Sequence, residues 1–183
     1  MSEQLAERRS LATHLVQKGE AMRAEALARP TAASWDEVIE ARCVADDITG
    51  ARKWRIREWN YVGDGGPGIG GYELGPSSPE LLCGVISTCL THTILCLAAM
   101  RGLSLDRVYV HVSAKNNDAG FFHVESDRPT TPHDIMVTVD LEAPTLTESE
   151  RDAFVTEAQN TCPVLIALRN PTEITVVRAP TSR

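Results

Sequence analysis

The chain has 183 residues, 25 acidic and 18 basic side chains, a net charge of −7 and a pI near 5.2. That length suits one domain with a substantial core, and the acidic balance leaves no basic field to hold nucleic acid or an anionic membrane surface. The opening "MSEQLAERRS" lacks an apolar signal region, so the expected compartment is the cytosol, where five cysteines form no disulfide framework and each needs its own account.

Ser2 to about Ala28 is rich in good helix formers, and Pro30 stops the pattern. Leu5, Leu11, Leu15 and Met22 recur near helical spacing, which predicts an amphipathic arm over residues 1–30 that packs on the body or a partner, with a disordered tail as the alternative. Residues 31–183 read as one continuous domain without internal repeats. "SWDEVIEARCVADDITGARKWRIREWNYV" predicts two strands, Trp35 to Ile48 and Arg52 to Val62, turned at Thr49-Gly50. The "GDGGPGIGG" that follows has neither a Walker lysine nor the spacing of a dinucleotide fingerprint, so a phosphate cradle is not expected.

Twenty residues between Glu80 and Arg101 carry no charge. At a rise of ~1.5 Å per residue they would cover ~30 Å, the thickness of a bilayer core. Ser87, Thr88, Thr91, His92 and Thr93 interrupt the run, however, and a central helix of a soluble core fits better. Ser78 is the expected N-cap, with Pro79 at the first helical position and Gly102 as the stop. Three strands are expected next, in "DRVYVHVSAK", "GFFHVESD" and "DIMVTVDLEA". The Thr147-Glu148-Ser149-Glu150 capping box opens a second helix to about Asn160, "TCPVLIALRN" restarts a short one, and "TEITVVRA" is a final strand. This order predicts an α+β fold with helices against largely antiparallel sheet.

On the central helix, Cys89 and Cys96 lie within ~20° of one another but ~10.5 Å apart along the axis, so they cannot join in a disulfide. Cys83, Cys96 and Cys43 are most simply small buried hydrophobes. Any redox partner for Cys89 within the chain has to come from another element. Cys162 is attractive, because it precedes Pro163 at the start of the short helix, where free N–H groups and the dipole favour a thiolate. The alternative is a pair of inert buried thiols. Cys89, His92 and Cys96 also make a C-x2-H-x3-C pattern, but one helix and no fourth donor make a poor zinc site, and no metal is expected. His92 reads as a core or interface histidine, and His111 and His123 receive no role.

Taken together, "SSPELLCGVISTCLTHTILCLAAMRGL" and "NTCPVLIALRNPTEITVV" resemble the OsmC/Ohr superfamily, the osmotically inducible and organic hydroperoxide resistance proteins, over roughly Trp35 to Val177. "GGYELGPSSPELL" looks most like the OsmC-like branch. The resemblance implies antiparallel sheets around a long central helix and an intertwined homodimer whose active sites form where the subunits meet. Two paired central helices would explain the uncharged run, and an arginine at a position such as Ile94 is expected to break the dimer or the fold. The resemblance also implies that Cys89 matches the peroxide-attacking cysteine and Cys162 the resolving one, with a small hydroperoxide as substrate, an external dithiol as reductant and no cofactor. In the family an arginine, held by a glutamate ten residues before the attacking cysteine, supports the thiolate. Pro79 stands there in this chain, and Glu80 lies ~180° around the helix from Cys89. Among Arg52, Arg55 and Arg57, Arg52 resembles the family placement, with Asp64 or Glu73 as the carboxylate if the glycine-rich loop folds back. The expected function is therefore a thiol-dependent peroxidase for organic hydroperoxides, slower than well-characterised members. The alternative is a non-catalytic dimer that binds a small apolar ligand in the same inter-subunit pocket.

Overall fold

Ser10 caps the first helix of the computed structural model, which describes residues 10–170 and 172–179, by accepting the Thr13 N–H. This helix, α1 (Leu11–Ala28), buries Leu15 and Gly19, with Leu11 and Met22 partly buried beside them, so the predicted amphipathic face is present; Leu5 lies outside the described residues. Gly19 is where α1 comes nearest the central helix. A Cβ there would stand 2.4 Å from the Ala99 carbonyl oxygen, a backbone atom that cannot swing away. Gly19→Ala is expected to push α1 off the body at a cost of about 1–3 kcal/mol, visible as a lower Tm and faster proteolysis in the arm.

Three strands then form an antiparallel meander: β1 (Arg42–Ala45), β2 (Arg52–Ile56) and β3 (Trp59–Gly63). The expected turn at Thr49-Gly50 is built around Asp46, whose carboxylate accepts the Ile48 and Thr49 N–H groups and pairs with Lys53 Nζ at 2.5 Å, and Gly50 supplies a φ of 70°. Two expectations need correction. The first strand is short, since Ala32–Trp35 is a 3-10 turn and residues 36–41 have no partner strand. The span from Arg52 to Val62 is itself a hairpin turned at Arg57, which takes a left-handed φ of 49° without the Gly or Asn that usually announces such a turn.

The uncharged run is the central helix, α2 (Ser78–Arg101). Its N-cap is Ser77 rather than Ser78, because Glu80 reaches back to the Ser77 N–H at 2.7 Å while the Ser77 hydroxyl accepts from the Glu80 N–H; Pro79 is thereby the second helical residue. Gly102, at φ 66°, ends it as expected. Ile86, Leu90, Thr93, Ile94, Ala98 and Ala99 face inward, whereas Gly84, Val85, Thr88, His92 and Met100 are exposed. By length and composition this helix could cross a membrane, yet 28% of its most apolar stretch is already buried by the rest of its own chain. Ile94 is fully buried in that intrachain core, which moves it out of the interface position expected of it.

Along α2 runs a second antiparallel pair, β4 (Arg107–Lys115) and β5 (His133–Glu142). Val108, Val110 and Val112 on one strand and Val137, Val139 and Leu141 on the other pack on the core, as alternation requires. No strand forms over Gly120 to Asp127. A 3-10 turn at Ala119–Phe122 is followed by His123 at φ 52°, and Phe121 and Val124 stay exposed, so the apolar alternation there had no core to face. The Thr147/Glu150 capping box opens α3 (Glu148–Thr161), and α4 (Pro163–Arg169) follows after one residue. Phe154, Ala158, Cys162 and Leu165 complete the core against α2. Leu90→Ala, at 1% exposure, is expected to cost about 2–5 kcal/mol in a denaturant titration. Residues 172–179, expected as a strand, form none and pair with no strand among the described residues.

Candidate active site

Two elements meet at the thiols. Cys89 lies midway along α2, partly buried, and Cys162 lies between α3 and α4 with no exposed surface. Cys162 serves as C-cap of one helix and N-cap of the next: its N–H donates to the Ala158 carbonyl at 2.9 Å and its carbonyl accepts from the Ile166 N–H at 3.0 Å. That double anchoring fixes Cys162 in the core cluster, against which Cys89 on α2 also packs. Cys83 and Cys96 lie on the same helix as Cys89. Cys96 Sγ lies 3.4 Å from His92 Nε2 one turn away, and Cys43 is exposed on β1.

The electrostatics of Cys89 follow from its surroundings. Burial, the largest influence, pushes its thiol above the ordinary value, the Val164 backbone N–H pulls it down, and the neighbouring Cys162 thiol raises it again. Val164 is a participant that sequence spacing did not single out. The signal was Pro163, which has no N–H, so that of Val164 is the first amide of α4 free to point at a neighbour. Arg52, Arg55 and Arg57 are not among the groups that shift the Cys89 thiol.

Arg52 belongs to a different cluster. It sits directly opposite Gly63 across β2 and β3, and its Nη1 lies 3.6 Å from Asp64 Oδ1. Asp64 is 1% exposed. Its carboxylate accepts the N–H groups of Gly65 at 2.8 Å, Tyr72 at 2.9 Å and Leu74 at 3.2 Å, so the glycine-rich loop closes around its own aspartate instead of around a phosphate. Those amides, Tyr72 first, hold the Asp64 carboxyl below the usual range. Of the other arginines, Arg55 pairs with Glu58 at 3.1 Å, and Arg57 forms the hairpin turn. Glu80, committed to the Ser77 cap, contributes nothing to either cluster.

The structure thus packs Cys89 against the core cluster that holds Cys162 and sets Arg52 against Asp64. Beyond them lie two open grooves. One, about 490 Å³, is lined by Cys43, Trp54 and Tyr61 with Arg42, Lys53 and Arg55. The other, about 400 Å³, lies between the exposed face of α2 at Thr88, His92 and Leu95 and β4 at Val108 to Val110. Neither is lined by Cys89 or Cys162. Trp54 Nε1, held by stacking of its ring on Tyr61 at 4.2 Å, is the buried side-chain polar atom without a hydrogen-bond partner among the described residues. Among those residues no group of three His, Cys, Asp or Glu side chains is placed to hold a metal ion.

Residues 70–177 match the family model described as OsmC-like protein. No curated protein sequence matches significantly. Among solved structures, an OsmC-like protein from Mycoplasma pneumoniae superposes with a TM-score of 0.62 at 14% identity, over 73% of this chain and 89% of its own. An OsmC-like protein of unknown function from Vibrio cholerae gives 0.58 at 12% identity, over 72% and 94%. An organic hydroperoxide resistance protein from Legionella pneumophila gives 0.53 at 16% identity, over 73% and 90%. At these identities the structural likeness speaks for the shared α+β fold.

Proposed function

The chain belongs to the OsmC-like protein family, and from that premise we propose that it is a thiol-dependent peroxidase for organic hydroperoxides, with Cys89 as the attacking thiol and Cys162 as the resolving one. The observation that supports this reading is the packing of Cys89 against the core cluster that holds Cys162, a residue 73 positions away on a separate element. In the reaction, the Cys89 thiolate attacks the terminal oxygen of the hydroperoxide, the O–O bond breaks, and the alkoxide leaves and takes a proton to become the alcohol. Cys89 is then a sulfenic acid. The Cys162 sulfur attacks the Cys89 sulfur, water leaves, and a disulfide forms. An external dithiol returns both thiols and is itself oxidised.

The working unit in this reading is a homodimer, supported by apolar surface that one chain leaves open. Val38 and Ile39 before β1, and Ile174, Val176 and Val177 near the C-terminus, are each at least 80% exposed in segments without a strand partner. Such segments are edges that another copy can cover. On the outer face of α2, Val85 and Met100 are also exposed, at 47% and 44%. A buried thiol becomes a thiolate at neutral pH only with a cation beside it. Among the described residues no cation shifts the Cys89 thiol, so in this reading Arg52 reaches it in the dimer, from the neighbouring copy's three-stranded sheet. The test is turnover of cumene hydroperoxide by the wild-type protein with dithiothreitol as reductant. Alcohol formed at many equivalents per subunit supports the peroxidase, whereas a rate equal to buffer returns the reading to a dimer that binds an apolar ligand without chemistry.

A further inference from the structure

Arg52 has a long side chain on a half-open sheet, and its ability to serve a thiolate depends on being held still. Four arrangements decide what holds it. Asp46 is taken by Lys53, Glu58 by Arg55 and Glu80 by Ser77, which leaves Asp64 as the carboxylate facing Arg52 at 3.6 Å. The second is burial: Asp64 is 1% exposed, while the Arg52 side chain is 38% exposed, so the carboxylate is the fixed member and the guanidinium the mobile one. Third, three backbone amides from both ends of the glycine-rich loop converge on that carboxylate and leave it one geometry. Fourth, the strand register puts Arg52 opposite Gly63, the residue before Asp64, so the pair is set by sheet hydrogen bonding and not by a loop contact.

We propose that Asp64 is the positioning residue for Arg52: the closed glycine-rich loop presents a rigid buried carboxylate that aims the guanidinium at the Cys89 thiolate. A carboxylate without competing freedom restricts the arginine to one rotamer, and such orienting partners typically account for 10- to 100-fold of a site's performance. The loop's glycines follow from the same device. A Cβ at Gly71 would stand 2.0 Å from the Gly65 carbonyl oxygen and one at Gly75 2.3 Å from that of Val62, so side chains there would open the ring that holds Asp64.

This proposal rests on the peroxidase reading of Cys89 and Arg52, and the experiment separates the two. The pH dependence of Cys89 alkylation and kcat/KM for cumene hydroperoxide are measured in the wild type, Arg52→Ala, Asp64→Asn and the double variant. Asp64→Asn is expected to lower kcat/KM about tenfold and move the alkylation midpoint up by about one pH unit. In the Arg52→Ala background it is expected to add nothing, because its effect passes through the arginine. A full-sized effect of Asp64→Asn in that background assigns Asp64 to loop structure alone and overturns the proposal. So does an unchanged profile in Asp64→Asn beside a shifted one in Arg52→Ala. An unchanged profile in Arg52→Ala itself removes Arg52 from the site, and the failure is then of the underlying reading. If Asp64→Asn does not fold, Asp64→Glu, which keeps the charge but displaces the carboxylate by one methylene, takes its place in the cycle with the same outcomes.

Discussion

Replacing Cys89 with serine is expected to lower the rate of organic hydroperoxide reduction by at least about a thousandfold, to the background of the dithiol alone. A serine hydroxyl at neutral pH has almost no anionic form and is a weak nucleophile unless a general base activates it. Cys162→Ser is expected to behave differently. It keeps the attacking thiol, so one equivalent of hydroperoxide per subunit is still reduced, and the sulfenic acid at Cys89 persists long enough to be trapped by dimedone. Turnover beyond the first cycle then depends on the external thiol attacking Cys89 directly. Rapid-quench measurement of alcohol formed per subunit, in the two variants side by side, separates these outcomes. Equal single-turnover amplitudes in Cys89→Ser and wild type would remove the attacking role from Cys89.

The second large effect concerns stability. Ile94 has no exposed surface and belongs to the intrachain cluster with Leu15, Ile86, Leu90 and Leu105. Ile94→Arg buries a charge in that cluster with no carboxylate among its members, and is expected to cost more than about 4 kcal/mol and abolish soluble, folded protein. Val176→Asp places a charge on a residue that is 90% exposed in the single chain. It is expected to leave the helical circular dichroism intact and to shift sedimentation toward monomer. A folded monomer from Ile94→Arg would mean that this side chain faces another copy, and a fully dimeric Val176→Asp would place the interface elsewhere.

Much of the fold could be read because its signals were local. The capping box at Thr147, the stop at Gly102, Pro163 opening α4 and the turn before Gly50 are each specified by a few adjacent residues whose backbone groups need satisfying. The misread parts depended on neighbours that local pattern does not name. "GFFHVESD" alternates like a strand but has no sheet to join, and Arg57 turns a hairpin with a side chain poorly suited to positive φ. "TEITVV" has strand composition yet pairs with no strand among the described residues.

For the thiols, spacing excluded Cys96 as a partner of Cys89 and Pro163 made Cys162 attractive, but a pair of inert buried thiols stayed open, and their redox roles came from the family resemblance. Arg52 was harder, since three arginines shared one hairpin and only the sheet register assigns Arg52 to Gly63 and so to Asp64. The carboxylate came from a loop 25 residues before Cys89, where helical periodicity carries no information.

The most direct test of the central claim is to treat reduced wild-type protein with one equivalent of cumene hydroperoxide per subunit, count the thiols lost, and map the disulfide by peptide mass spectrometry under non-reducing conditions. The account predicts two thiols consumed per chain and a single linkage, Cys89 to Cys162 within one subunit. A linkage of Cys89 to Cys96 or Cys83, or five free thiols after the peroxide has been added, would contradict it.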